Sequence, residues 1–164
     1  MGPTYQRLVV VATTVFLVTG CGDKGLDKPL PKTTKTVRVS LPWRDGGRIP
    51  RQYTCDGADR VPAVRIDKPA PHGTAIVMTD PDAPGGTFVH WTRWGRIDGQ
   101  NSFGRVGYSG PCPPKGDKPH HYVLTVYVLK QRLPLARGAK PDEVLAAVRK
   151  QAAESGSTTG LYGR

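Results

Sequence analysis

The sequence predicts a mainly β fold, an antiparallel β-sandwich with one late helix. Three observations carry that prediction. Apolar residues recur in short alternating or continuous runs of strand length. Proline and glycine punctuate the gaps between them, 16 and 20 respectively among 164 residues. A single segment near the carboxyl end has helical character, so strands must supply most of the core.

The elements follow in order. Val37, Val39 and Leu41 alternate with Arg38 and Ser40, the period of a half-buried strand. Asp45-Gly46-Gly47 is a turn, and Ile49-Pro50 opens a second extended piece to Tyr53. Val61 to Ile66 is a third short strand, closed by Pro69 and Pro71. Thr74 to Thr79 is a continuous apolar run that suits a central strand. Phe88 to Ile97 and His121 to Leu129 are long β-type runs, and in the latter Tyr122, Leu124, Val126 and Val128 share one face. Pro141 to Ala153 reads as the helix, with proline at a favourable first position and Asp142 and Glu143 complementing the amino-terminal dipole. Ser157 to Tyr162 is expected as the last strand.

The amino-terminal residues read as an address. Arg7 supplies a positive region, Leu8 to Val18 carries no charge, and Val18-Thr19-Gly20 places small residues just before Cys21. So short an apolar run suits a secretory signal rather than a membrane span, which needs roughly 20 residues. A cysteine in this register resembles the bacterial lipobox, in which the thiol is diacylated and the signal removed before it. Residues 1–20 are therefore expected to be a lipoprotein signal peptide. Residues 21–36 are expected to be a lipidated flexible tether, because Gly22 to Thr36 is polar with no apolar period. Residues 37–164 form the folded domain, long enough for one core. The expected location is the bacterial cell membrane, on its extracytoplasmic face.

The chain is +11, and +10 without Arg7 and the rest of the signal. That balance favours anionic partners. The basic residues are scattered, with no run of five like charges and no basic–aromatic platform, so nucleic acid is not expected. A positive surface beside an anionic membrane is the simpler reading. With Cys21 assigned to lipid, Cys55 and Cys112 remain. Even parity in an oxidising compartment favours a disulfide, with two separate buried thiols as the alternative. Without a C-x-x-C or a nearby Cys/His pair, the cysteines do not form a metal site.

Two Pro/Gly-rich segments concentrate the chemistry. Asp80-Pro81-Asp82-Ala83-Pro84 leads to His90-Trp91, and Gly110-Pro111-Cys112-Pro113-Pro114-Lys115-Gly116 leads to His120-His121-Tyr122. Proline fixes the backbone before a ligand arrives, glycine allows close approach, and consecutive amides can cradle an anion. Imidazoles donate to phosphate oxygens, while a carboxylate fixes a histidine tautomer or accepts from an ammonium group. Singly, each aspartate is more simply a turn residue bonding its local backbone, and His90 an ordinary half-buried ring.

Taken together, these motifs closely resemble the phosphatidylethanolamine-binding protein family, in particular its bacterial Raf-kinase-inhibitor-like branch. Tyr53-Thr54-Cys55-Asp56-Gly57, Gly104 to Tyr108 and Thr159-Gly160-Leu161-Tyr162-Gly163-Arg164 add to the likeness, which covers nearly everything from Val37 on. The resemblance implies the family's β-sandwich and a ligand pocket lined by Asp80, Asp82, His90, Gly110, Pro111, His120 and Tyr122. It implies a small anion such as phosphate or a phosphoethanolamine headgroup, bound without turnover, and no cofactor. A protein-interaction or protease-inhibitor module acting through its surface is the alternative, since the wider family includes an inhibitor. Thr92-Arg93-Trp94-Gly95-Arg96 departs from the apolar run of many relatives, so no inherited protein partner is carried over, kinases included.

Two enzyme classes were weighed. Two Asp and two His are legitimate metal ligands, but the D-x-D spacing is set by proline on a turn and no catalytic base stands out. Gly107-Tyr108-Ser109-Gly110-Pro111 superficially resembles a nucleophile elbow, yet Pro111 stands at its last glycine and the following prolines cannot begin the required helix. The expectation is a binding protein, not an enzyme.

Overall fold

The computed structural model describes Gly2, Leu26 and residues 28–164. Cys21 and the expected signal lie outside the described residues, except for Gly2. The strands are β1 (Lys35–Thr36), β2 (Val39–Ser40), β3 (Gly47–Arg48), β4 (Arg65–Ile66), β5 (Thr74–Asp80), β6 (Phe88–Trp94), β7 (Ile97–Asp98), β8 (His120–Leu129) and β9 (Ala152–Tyr162). One helix, α1 (Pro141–Gln151), directly precedes β9, and a 3-10 turn spans Arg51–Tyr53.

The main sheet runs β1-β9-β8-β5-β6-β7, with β3 also pairing to β9, and β2 and β4 form a small second sheet. The expected mainly β fold with a late helix is what the chain adopts, with very unequal layers. The sheet is antiparallel at its centre, whereas β1 and β3 pair with β9 in parallel. Parallel neighbours need a long crossover, and here most of the domain separates Lys35 from its partner Glu154.

Alternation along the central strands builds two cores. Ala75 and Val77 of β5, with Tyr127 and Leu129 of β8, face Val144, Leu145 and Val148 of α1. Ile76 and Met78, with Tyr122, Leu124 and Val126, face the other way, onto Trp43, Ile49, Trp91 and Tyr162. Because both faces are covered, β5 lacks polar alternation and reads as a continuous apolar run. The helix starts at Pro141, and the Lys140 amide donates to Glu143 Oε2 at 2.7 Å, satisfying one amino-terminal donor.

Several boundaries differ from expectation, for local reasons. Arg51–Tyr53 is not extended: Pro50 precedes a turn in which the Tyr53 amide donates to the Pro50 carbonyl at 3.0 Å. Only Arg65–Ile66 of the Val61–Ile66 run forms a strand, since Pro62 has no amide to contribute and Val61 is exposed. The Phe88–Ile97 run breaks at Gly95, which takes φ +58°. The helix ends at Gln151, and β9 begins at once, five residues before the expected start.

The expected flexible tether is partly bound to the domain. The Leu26 amide donates to Thr87 O at 3.2 Å, Arg149 reaches Pro29 O, and Tyr127 Oη donates to Pro31 O at 3.1 Å. Leu26 and Leu30 pack against the helix-side core, and β1 closes the sheet edge. Two leucines spaced by polar and proline residues have no helical or strand period, so composition alone read them as solvated.

Candidate functional site

The site is assembled where the ends of β5, β6 and β8 meet the loop from Ser109 to Pro114. Asp80 ends β5 and pairs across the sheet with Phe88 of β6. Near this pairing the β5–β6 register shifts, so that Met78 opposes Trp91 and Thr79 opposes Val89. His90 is the residue left over. Such a bulge re-aims a side chain, and here the His90 ring is turned to Tyr122 on β8, with ring centroids 5.2 Å apart and edge to face.

Each aspartate is held by a separate histidine of the His120-His121 pair. Asp80 Oδ2 accepts from His120 Nδ1 at 2.8 Å, and both side chains are buried. Asp80 Oδ1 accepts from the Asp82 amide at 2.9 Å, which locks the turn and leaves neither Asp80 oxygen unpartnered. Asp82 Oδ2 accepts from the amide and the ring Nδ1 of His121, each at 2.7 Å. Those bonds, the amide first, hold the Asp82 carboxyl below the usual carboxylate range.

His90 is clamped to the loop twice. Its Nδ1 donates to Ser109 O at 2.7 Å, and its carbonyl accepts from the Ser109 amide at 3.0 Å. With the Nδ1 proton on a carbonyl, Nε2 carries the lone pair of the neutral ring and becomes a donor on protonation. Burial holds the His90 pKa down, against the opposing pull of the Ser109 carbonyl and Asp80. Tyr122 lies between the two imidazoles, near-parallel to His120 at 6.4 Å between centroids. Its hydroxyl is buried and makes no well-formed hydrogen bond to protein, although the Asp80 carboxylate and the Cys112 amide lie beside it. Burial, then the negative charge of Asp80, pushes its pKa up, so the hydroxyl keeps its proton.

The loop wall is built by side chains that sequence reasoning did not single out. Asp59 Oδ1 accepts from the Gly110 amide at 2.8 Å, and Asp59 itself takes φ +50°. A Cβ on Gly110 would collide with Tyr53 O and the Asp59 carboxylate, so only glycine fits there. Asn101 Nδ2 donates to Ser109 Oγ at 3.0 Å and to Gly107 O at 3.1 Å. Pro111 O accepts from the Cys55 amide at 3.1 Å, and Cys55 and Cys112 are joined by a disulfide with Cα atoms 5.4 Å apart. Tyr162 Oη and Arg164 Nε both bond the Asp56 carboxylate beside it, at 2.7 and 3.1 Å.

The structure thus brings Asp80, His90, His120 and Tyr122 together around one hydroxyl, with Asp82 one bond further out. Gly110 and Pro111 form the wall in a different manner from the expected cradle of consecutive amides. The Gly110 amide is committed to Asp59, and Pro111, Pro113 and Pro114 have none. The Cys112 amide remains, close enough to Tyr122 to oppose the rise in its pKa. Asp59, Ser109, Asn101 and His121 were missed. For His121 a signal existed: aspartates two apart and adjacent histidines can pair one to one across neighbouring strands.

Chemically, the site offers the His90 and His120 imidazoles, a protonated phenol and one amide beside the Asp80 carboxylate, with His120 Nε2 3.9 Å from the Asp117 carboxylate. That is a set of donors with adjustable charge, suited to oxygen anions. Asp80 and His120 spend their facing atoms on each other, and among the described residues no group of three His, Cys, Asp or Glu converges as metal ligands would.

Comparison with known proteins agrees with this geometry. The model of the family described as phosphatidylethanolamine-binding protein matches residues 39–163. The chain is 36% identical over 180 residues to UPF0098 protein PH1269 of Pyrococcus horikoshii, covering 95% of this chain and 88% of that protein. It is 34% identical over 200 residues to "Putative lipoprotein LppC" of Mycobacterium tuberculosis, covering 99% of each. The crystal structure of E. coli YbcL, described as a new member of the mammalian PEBP family, superposes with a TM-score of 0.69. Its sequence is 24% identical, and the match covers 78% of this chain and 98% of that one. The chain therefore belongs to the phosphatidylethanolamine-binding protein family.

Proposed function

We propose that this protein is a membrane-tethered, extracytoplasmic binding protein whose site takes a small anion, phosphate or a phospholipid phosphoethanolamine headgroup, without turning it over. The observation that carries the reading is the buried Tyr122 hydroxyl, which makes no well-formed hydrogen bond to protein and lies beside Asp80 and the Cys112 amide, near two imidazoles whose Nδ1 atoms are already engaged. Leaving a buried donor unmade costs about 1–3 kcal/mol, so its retention points to a ligand that completes it. An anionic oxygen would accept from Tyr122 and from protonated His90 or His120, while the aspartates balance an ammonium group.

Tethering rests on Val18-Thr19-Gly20-Cys21 and is supported by the lipoprotein name of the M. tuberculosis relative. No helix of the described residues is long and apolar enough to cross a membrane; in this reading a lipid on Cys21 is the anchor.

Titration of the mature protein with phosphate and phosphoethanolamine, followed by NMR shifts or calorimetry, tests the site. Affinity between millimolar and high micromolar is expected, about −4 to −6 kcal/mol. His120→Ala should weaken binding at least several-fold, whereas Lys130→Ala on the exposed surface should not. Unchanged affinity in the His120 variant, or shifts clustering away from Asp80, His90 and Gly110, would move the surface-interaction reading ahead.

A further inference from the structure

The docked amino-terminal segment and the turn after β7 meet at one corner of the domain, beside the site. The Leu26 amide donates to Thr87 O, one residue before β6 begins. Phe88, the next residue, packs edge to face on Phe103 with centroids 4.6 Å apart, and its other neighbour is the His90 ring at 5.0 Å. The Ser102 amide donates to Val89 O, and Ser102 Oγ accepts from the Val89 amide, so the Phe103 turn is fixed to the start of β6. Asn101 Oδ1 further accepts from the amides of Phe103 and Arg105.

This rigid turn presents an unusual surface. Phe103 is 53% exposed and Val106 39%, two of the four large hydrophobic residues left exposed among the described residues. Arg105 lies between them in sequence, its guanidinium 5.8 Å from the Phe103 ring centroid. An exposed aromatic and an aliphatic side chain flanking an arginine match the interface of an anionic bilayer, where the ring enters the headgroup boundary and the guanidinium meets phosphate. Five residue steps lead from Cys21 to Leu26, so a lipid on Cys21 could lie at most about 18 Å of chain from this corner.

We propose that the corner made by Leu26, Thr87, Phe88 and the Phe103–Val106 turn rests on the anionic phospholipid surface that holds the anchor. The domain would then sit with its site next to headgroups rather than swing freely on its tether. The charge of +10 without the signal residues favours such a surface. The orientation rests on the proposed lipidation of Cys21, whereas the affinity of the corner for anionic lipid does not.

The experiment uses the lipidated protein, isotopically labelled, in nanodiscs of phosphatidylglycerol and phosphatidylcholine doped with a gadolinium lipid. Amide broadening should concentrate at Thr87, Phe88 and Ser102 to Val106 and spare the opposite end of the sheet at Gly73, Gly95 and Lys130. Phe103→Asp with Arg105→Gln should abolish that contrast, and Arg105→Gln alone should reduce it. Broadening spread evenly over the surface, or centred on Gly73 and Gly95, overturns the docked corner. Mass spectrometry of the same sample reports the anchor separately. An unmodified Cys21 overturns the anchoring reading, while broadening at residues 102–106 on mixing that protein with the same nanodiscs upholds the corner.

Discussion

Replacing Tyr122 by phenylalanine should make the unliganded protein more stable and a poorer binder. The side chain is fully buried, and its hydroxyl makes no well-formed hydrogen bond to protein. Removing one oxygen keeps the ring against His90 and His120 and relieves the desolvation of an unmade donor, a cost of about 1–3 kcal/mol. The neighbouring Asp80 carboxylate and Cys112 amide offset part of this, so a gain of about 1–2 kcal/mol is expected. For a domain of residues 37–164, an unfolding entropy of about 2.1 cal/mol/K per residue makes each kcal/mol worth about 4 °C. The melting midpoint should therefore rise by about 4–8 °C. Phosphate binding should weaken by about 10- to 100-fold, the worth of one hydrogen bond to a charged group. Thermal unfolding followed by circular dichroism, with and without phosphate, reads both effects on the same sample. A phenylalanine variant that melts below the parent would mean that the hydroxyl is satisfied in the free protein, and the argument for a ligand there would fail.

Three further outcomes are expected. Burial lowers the His90 pKa, so the unfolded chain takes up a proton before the folded one does; stability should fall as pH drops from the ordinary imidazole range, and fall again as pH passes from the ordinary carboxylate range down through the lowered Asp82 value. Denaturant unfolding from about pH 8 to about pH 2 measures both limbs, and a His90→Gln variant with an unchanged slope in the imidazole range would contradict the assignment. Exchanging both Cys55 and Cys112 for serine opens a link across 57 residues and should cost about 2–4 kcal/mol; thiol counting on the denatured, unreduced parent should find neither cysteine free. Cys21→Ala should leave a precursor that is neither normally processed nor lipidated, whereas a mature amino terminus elsewhere with an unmodified Cys21 in the parent would refute the lipobox reading.

How much of this was legible in the sequence depends on the range of the interactions. The strands from Thr74 to Asp80 and from His120 to Leu129 were plain because both of their faces are buried, and burial writes itself into apolar runs. The two Pro/Gly segments could be singled out as a candidate site because rigid turns and ionisable groups are local features. What could not be read was pairing at a distance. Nothing in the sequence around Asp59 says that its carboxylate holds the Gly110 amide, and the bulge that frees His90 exists only relative to β5. The docking of Leu26 and Leu30 was hidden for the same reason: the core they pack against is drawn from strands and a helix far along the chain, beginning at Ala75.

The place of β9 in the sheet has a consequence for how the protein is made. The last strand of the chain is not an edge; it lies between β8 on one side and β1 and β3 on the other. Lys35 waits for Glu154, and Gly47 waits for Gly160, before either early strand has a partner. Contacts of such sequence separation form slowly, because the loop entropy must be overcome before they contribute. A ribosome or translocon still holding the carboxyl end thus holds a chain with no finished sheet. Under the proposed export across a membrane, that delay would keep the chain threadable until it has crossed, and the closing of β9 would set the moment at which it becomes a folded domain.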